Sequence, residues 1–339
     1  MNIIVMRLSA IGDCVNALAA VQAIARNYNE SSITWVTGAA EASLLGSVPG
    51  IEIITLDRKQ GAIAAYRDLK MKLRGRKFDV LLLMQYALKA GIASLAVKAK
   101  RRIGFDKAHS RELHSLFINE RIDCPKGRHI LDAFMEFAKY LGCPGDIKPS
   151  WDLGISFAEE EEASQILDGT KNYAVICPMS SLPEKNLPAD LASDAAAHAL
   201  KKGLVPFIVG GNDEKTAKIA QIICQKVPGA KDLCGKTNLR QFAAIIKGSK
   251  IVISCDTAAV HLATALNVPV VAAYACHDPR RVGPYGHLNH TVSAYGLAVM
   301  KEYGKPSNEL PWRTKAHGQN LMSLIKTSEL LEIMDDILG

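Results

Sequence analysis

Short, nearly continuous apolar runs alternate along this chain with longer stretches whose apolar positions recur every three or four residues. The runs at 3–8, 33–36, 51–56 and 80–84 predict strands. The stretches at 13–26, 62–74, 87–98 and 129–141 predict helices. Gly142-Cys143-Pro144-Gly145 breaks the last of these, and the Pro- and Gly-rich segment 144–155, with a strand-like 151–153, reads as a linker. The alternation then restarts. Strands are predicted at 173–177, 204–209, 251–254 and 268–274, and helices at 188–202, 214–226, 239–247 and 256–266. Strands apolar on both faces, separated by amphipathic helices, are the pattern of a parallel, doubly wound α/β sheet.

Two such halves imply two Rossmann-like domains, 1–150 and 151–320, with parallel sheets facing an interdomain cleft, the usual place for a ligand. The amphipathic segment 321–339 is left as a terminal helix, for which a return onto the first domain is open.

Length agrees, since 339 residues suit two domains better than one. The longest apolar run, 251–276, contains Asp256, His261, Asn267 and Pro269, and divides into strand, helix and strand rather than one membrane span. Residues 1–8 are interrupted by Arg7 and lead to no small-residue cleavage site, so no signal peptide is read there. The eight Cys form no Cys-x-x-Cys pair, and several lie inside apolar strands. Together these features point to a cytoplasmic protein in a reducing compartment.

Charge changes the picture more. Residues 58–128 hold eighteen Lys or Arg against six Asp or Glu, which leaves the remainder of the chain net acidic. A basic half suits an anionic partner: nucleic acid, a membrane surface or a phosphorylated ligand. Few aromatic residues accompany it, which argues against a base-stacking platform. After the first strand stands Ser9-Ala10-Ile11-Gly12-Asp13 in place of Gly-x-Gly-x-x-Gly. No Gly-x-x-x-x-Gly-Lys-Ser/Thr occurs, so dinucleotide dehydrogenases and P-loop NTPases both lose ground.

The chemistry-bearing residues fall at predicted strand-to-helix junctions. Asp13 is either an N-cap or a general base able to take a proton from an attacking hydroxyl. Ser180, Ser181 and Lys185, between two prolines, offer hydroxyls and a point charge to a diphosphate, or form an ordinary polar loop. Glu214 suits ribose hydroxyls or the first turn of a helix. The most informative segment is 233–266, which ends in Asp256-Thr257-Ala258 opening a helix whose N–H groups suit a phosphate. His261, one turn on, serves that site or only packs beneath it. His277 and Asp278 add polar groups at the same rim. No metal-ligand spacing and no Asp-x-Asp is present.

In this order the motifs resemble glycosyltransferase family nine, the lipopolysaccharide heptosyltransferases. The residues that carry the likeness are Arg7-Leu-Ser-Ala-Ile-Gly12-Asp13, Gln85-x-x-x-Lys89 and Ser180-Ser181-x-x-x-Lys185. Gly210-Gly211-x-x-Glu214, Leu233-x-Gly235-x-Thr237-x-Leu239 and Asp256-Thr257-x-x-x-His261 complete them. Arg102-Ile-Gly104-Phe105 and the segment from Arg111 to Asn119 lean toward the branch that adds the first heptose.

The resemblance implies a GT-B fold and inverting, metal-independent transfer from ADP-heptose to Kdo of lipid A–Kdo. It implies Asp13 as base, with Ser180, Ser181, Lys185, Glu214, Thr237, Asp256, Thr257, Ala258 and His261 on the donor. Lys59, Arg67, Lys70, Gln85, Lys89 and Arg111 would meet the acceptor. No cofactor or nucleic acid is implied, a monomer is favoured, and the place of action is the cytoplasmic face of the inner membrane. A heptosyltransferase acting later in the core and a GT-B-like nucleotide-sugar epimerase are the alternatives. Three departures, Ala258 for the family's usual Gly, Leu187 for Trp, and Ala275-Cys276-His277 for Gly-Pro-Thr, bear on donor choice more than on fold.

Overall fold

The computed structural model describes residues 1–59, 61–107, 110, 113–124 and 127–339. They divide into two compact units, Met1–Gly154 and Ile155–Gly339.

The first unit runs β1 (Asn2–Met6), α1 (Ile11–Asn27), β2 (Ser32–Thr37), α2 (Ala39–Leu45), β3 (Ile51–Thr55) and α3 (Ala62–Lys72). It continues with β4 (Phe78–Leu83), α4 (Leu88–Ser94), β5 (Ala99–Gly104), β6 (Glu120–Arg121) and α5 (Ile130–Tyr140). The strands form one parallel sheet in the order β3-β2-β1-β4-β5-β6. Central β1 and β4 are apolar on both faces because helices cover both. Ile4, Met6, Leu81 and Leu83 pack toward α3 and α4. On the opposite face lies the pair α1 and α5, which pack against each other.

Strand β5 has no apolar alternation to announce it, since Lys100, Arg101 and Arg102 fill its middle. The sequence pattern instead extends the preceding helix to residue 98, whereas α4 stops at Ser94. Arg102 explains how the strand tolerates its charge. Its guanidinium, half-buried, donates to the carbonyls of Phe117 at 2.8 Å, Val97 at 3.2 Å and Ser94 at 3.1 Å, and to the Ser94 hydroxyl at 2.7 Å.

Beside it, a Cβ at Gly104 would fall on the His114 imidazole and within 2.7 Å of Ile118. His114 is itself fixed, accepting at Nε2 from Phe105 N–H at 3.1 Å. Gly104→Ala should therefore destabilise the protein by about 1–3 kcal/mol through overpacking. Urea unfolding checks this, and an unchanged midpoint would show that His114 swings aside.

The second unit contains α6 (Phe157–Ile166), β7 (Tyr173–Cys177), α7 (Ala189–Lys201), β8 (Val205–Ile208), α8 (Glu214–Lys226), β9 (Lys231–Asp232) and α9 (Leu239–Gly248). It ends with β10 (Ile251–Cys255), α10 (Ala258–Ala265), β11 (Val270–Tyr274), α11 (Pro279–Val282), β12 (Thr291–Ser293), α12 (Tyr295–Tyr303) and α13 (Thr327–Leu338). Its sheet, also parallel, is ordered β12-β11-β10-β7-β8-β9. Strands β7, β10 and β11 are buried at every position, as their runs, apolar but for Ser254, require.

Helix α6 carries four consecutive glutamates, and its apolar pattern is too sparse to predict it. A Ser156–Glu159 capping box starts it. Arg240 then grips Glu159 at 2.6 and 2.7 Å, and holds its carboxyl down at about 2 despite burial working the other way.

The terminal helix α13 uses its apolar face within this unit. Leu330 and Met334 enter the core beside α7, and Asp335 meets His198 at 2.9 Å and Lys202 at 2.7 Å. Within this unit the helix docks on α7, whose basic last turn complements Asp335.

Candidate active site

Open parallel sheets bind ligands outside the carboxyl ends of their strands, where the strand order reverses. In the first sheet, connections leave β1 and β4 in opposite directions, so its switch point lies between them. The second sheet has the same feature between β7 and β10. Asp13 and Gln85 follow the first pair of strands; Lys185 and Asp256 follow the second.

At the first switch point, α1 begins at Ile11 with Ala10 as its cap residue and no side-chain cap. Asp13 is the third residue inside the helix, which removes the N-cap alternative. Its Oδ2 instead takes a short hydrogen bond from Nη2 of Arg7. Arg7 is only 7% exposed. It is held from behind by the Met84 carbonyl at 2.8 Å and by the Phe134 ring, 5.3 Å from its guanidinium carbon. The result is a carboxylate fixed by a buried cation and still half-open to its surroundings.

Sequence reasoning gave Arg7 no role. Its signal was an Arg at the end of an otherwise apolar first strand, where a charge needs a partner.

Gln85, expected on the acceptor, is buried and braces the loop that leads into α1. Its Oε1 accepts from Leu8 N–H at 2.7 Å and its Nε2 lies 3.4 Å from the Ser9 hydroxyl. A planar amide suits this because it donates and accepts at once.

Lys59 and Lys89 stand exposed on the β3–α3 loop and at the start of α4, both toward the carboxyl edge. Arg67 and Lys70 are exposed on α3, but roughly 8 and 12 Å along that helix from its first residue. Lys70 lies in the last turn, where a cation complements the helix dipole. Arg111 lies outside the described residues.

The second switch point is more tightly built. Lys185 closes a single 3₁₀ turn, Pro183–Lys185, and its Nζ lies 2.9 Å from Asp256 Oδ2. His277 Nδ1 meets the same oxygen at 2.6 Å. Burial pushes the Asp256 carboxyl upward, but the hydrogen bond from His277 and the charge of Lys185 outweigh it and hold the group at about 2. It therefore remains a carboxylate at any pH near neutrality.

Lys185, Asp256 and His277 follow β7, β10 and β11, three neighbouring strands. The sequence offered His277 only as a rim group; its place directly after a buried strand, matching that of Asp256, was the available signal.

The backbone around this cluster is pinned. Asn186 Oδ1 accepts from Ser180 N–H at 2.8 Å, and Ser180 Oγ accepts from Leu182 N–H at 3.3 Å. Ser181 is exposed. Thr257 caps α10, its hydroxyl accepting from Ala259 N–H at 3.2 Å. That cap occupies one helix-start N–H, while Ala258 is the first helical residue and His261 lies half-buried a turn further on. Leu187 is buried in the core with Leu191 and Ala192 of α7.

The next two loops along the edge adjoin each other. Gly235 N–H donates to the Gly210 carbonyl at 3.1 Å. Gly235 adopts φ +70° beside the Asn212 side chain, where a Cβ would come within 2.8 Å of Oδ1. This sets the loop that leads into Glu214 and α8 beside the loop that carries Thr237, which is half-buried. Glu214 is 82% exposed and pairs with Lys218 at 2.7 Å, and Asp213 rather than Glu214 caps α8. Among the described residues no group of three or more His, Cys, Asp or Glu is placed to share a metal ion.

Known proteins place this architecture. The profile of glycosyltransferase family 9 (heptosyltransferase) matches residues 66–313. The chain belongs to this family.

It is 38% identical to the lipopolysaccharide core heptosyltransferase OpsX of Haemophilus influenzae, over 97% of this chain and 95% of that protein. Lipopolysaccharide heptosyltransferase 1 of Escherichia coli K12 is 23% identical, over 84% and 91%. In structure it is similar to E. coli heptosyltransferase WaaC with ADP, with a TM-score of 0.77, 19% identity, and coverage of 99% of this chain and 100% of that one. The family-9 chain is a glycosyltransferase with the GT-B fold, two parallel α/β sheets in succession.

Proposed function

We propose that this glycosyltransferase moves L-glycero-D-manno-heptose from ADP-heptose to a Kdo hydroxyl of lipid A–Kdo, inverting the anomeric centre without a divalent metal. The observation that carries the reading is its 38% identity, over nearly the whole of both chains, to a lipopolysaccharide core heptosyltransferase. Charged groups at both sheet switch points support it.

In this reaction the Kdo oxygen attacks the anomeric carbon and yields its proton to Asp13. The carbon–oxygen bond to the diphosphate breaks, and ADP departs with the electron pair. Lys185, with Ser180, Ser181 and the amides after Thr257, meets the charge that develops on the leaving diphosphate. Glu214 and Thr237 serve the nucleoside, Asp256 and His261 the sugar. Lys59 and Lys89 meet the acceptor, with Arg67, Lys70 and Arg111 as further cations of the basic half. Gln85 acts by bracing the loop that carries Asp13. The enzyme works as a monomer on the cytoplasmic face of the inner membrane.

Mixing the pure protein with ADP-heptose and Kdo-bearing lipid A, in the presence of EDTA, should release ADP and add one heptose to the acceptor by mass. Release only with an acceptor that already carries heptose would move the enzyme to a later core step. A changed sugar nucleotide without acceptor would make it an epimerase. Release that needs added divalent metal would overturn the metal-free mechanism.

A further inference from the structure

Helix α4 is packed with its sides reversed. Its buried positions are Ala90, Gly91, Ala93 and Ser94, whereas Leu88, Ile92 and Leu95, on and just past the helix, are 39, 47 and 59% exposed. Spacings of four and three place those three on one stripe. The small residues let the helix lie close to its neighbours: a Cβ at Gly91 would fall on the Phe117 ring. This draws α4 against the 3₁₀ turn His114–Leu116, which contributes Leu113 and Leu116, 64 and 72% exposed.

Single exposed leucines are ordinary, but five large aliphatic side chains on two adjoining elements are an apolar partner's surface. The charges nearby say which partner. Lys89 on α4, and Lys98 and Lys100 just beyond it, are exposed. Helix α4 itself has no acidic residue, and Glu120 on the adjacent β6 is engaged by Arg101 at 2.7 Å. A second copy docked on this face would oppose these lysines to themselves. An anionic bilayer takes both parts, aliphatic groups into the headgroup boundary and lysines onto lipid phosphate.

We propose that the α4 stripe and the Leu113–Leu116 turn form the membrane-docking face of this protein, seating it on an anionic bilayer. The inference rests on the reading of a lipid-borne acceptor but is tested apart from catalysis.

The protein and a triple variant, Ile92→Gln with Leu95→Gln and Leu116→Gln, are sedimented with phosphatidylethanolamine–phosphatidylglycerol vesicles and with phosphatidylcholine vesicles. The wild type should bind the first in a salt-sensitive way and the second weakly. The triple variant should lose roughly tenfold or more of that binding, with unchanged ADP affinity and thermal unfolding. It should also keep its rate on a delipidated Kdo acceptor. Equal vesicle binding by both proteins, or none by either, overturns the docking face even if heptose transfer is seen. A dimer that the substitutions convert to a monomer, without change in vesicle binding, assigns the patch to self-association instead and also overturns it.

Discussion

Asp13→Asn should bind ADP as the wild type does and transfer heptose about 10²- to 10⁴-fold more slowly, the range that a positioned general base contributes. The geometry makes this a sharp test. Asp13 is not the cap of α1, so the substitution removes no capping bond. The asparagine oxygen can still accept from Arg7, which preserves the hydrogen bond that ties Asp13 to the buried guanidinium. What is lost is the capacity to take a proton.

Arg7→Lys separates basicity from aim. It keeps the positive charge but not the fork that reaches Met84 and Asp13 together, so kcat should fall with little change in KM for the donor. Single-turnover rates with calorimetric ADP affinities read both variants. An Asp13→Asn rate within tenfold of wild type would return Asp13 to a partner for a buried arginine and place the base elsewhere.

Much of the fold was legible because parallel strands covered on both faces must be apolar throughout. That is why β7, β10 and β11 stand out, and why α8 is found at 214–226 as expected. Strand β5 and helix α6 escaped for the opposite reason. Each is held by an arginine, Arg102 donating to the Ser94 and Phe117 carbonyls and Arg240 paired with Glu159, and no local apolar period encodes such bonds.

The site shows the same division. Lys185 and Asp256 were readable as polar residues at strand-to-helix junctions, and the structure brings them to 2.9 Å. The bracing role of Gln85 and the anchoring of Arg7 by Met84 were not readable, because each depends on a partner 77 residues away across the β1–β4 pairing. Its place at a helix start after a strand suggested Glu214 for a ribose, and its exposed side chain pairs with Lys218. The loop that precedes Glu214 is tied at Gly210 to Gly235, two residues before Thr237.

Lys185→Ala should weaken ADP and ADP-heptose binding roughly ten- to a hundredfold, as expected for a charge-assisted hydrogen bond worth about 1.5–3 kcal/mol. Lys185 is not a floating surface cation, since Asp256 fixes its ammonium and His277 fixes Asp256. Most of its side-chain entropy is therefore already lost before a diphosphate arrives, and the carboxylate supplies aim at the cost of some charge. Asp256→Asn tests that division of labour. If Asp256 places Lys185, both single variants lose affinity, and the double variant binds ADP no worse than Lys185→Ala alone. If Asp256 only repels the diphosphate, Asp256→Asn binds ADP more tightly than the wild type, and its value to the enzyme lies in the sugar. Unchanged ADP affinity in Lys185→Ala would remove the lysine from the donor site altogether. The diphosphate charge would then fall to the Ser180 and Ser181 hydroxyls, His277 and the N–H groups that open α10 at the β7–β10 switch point.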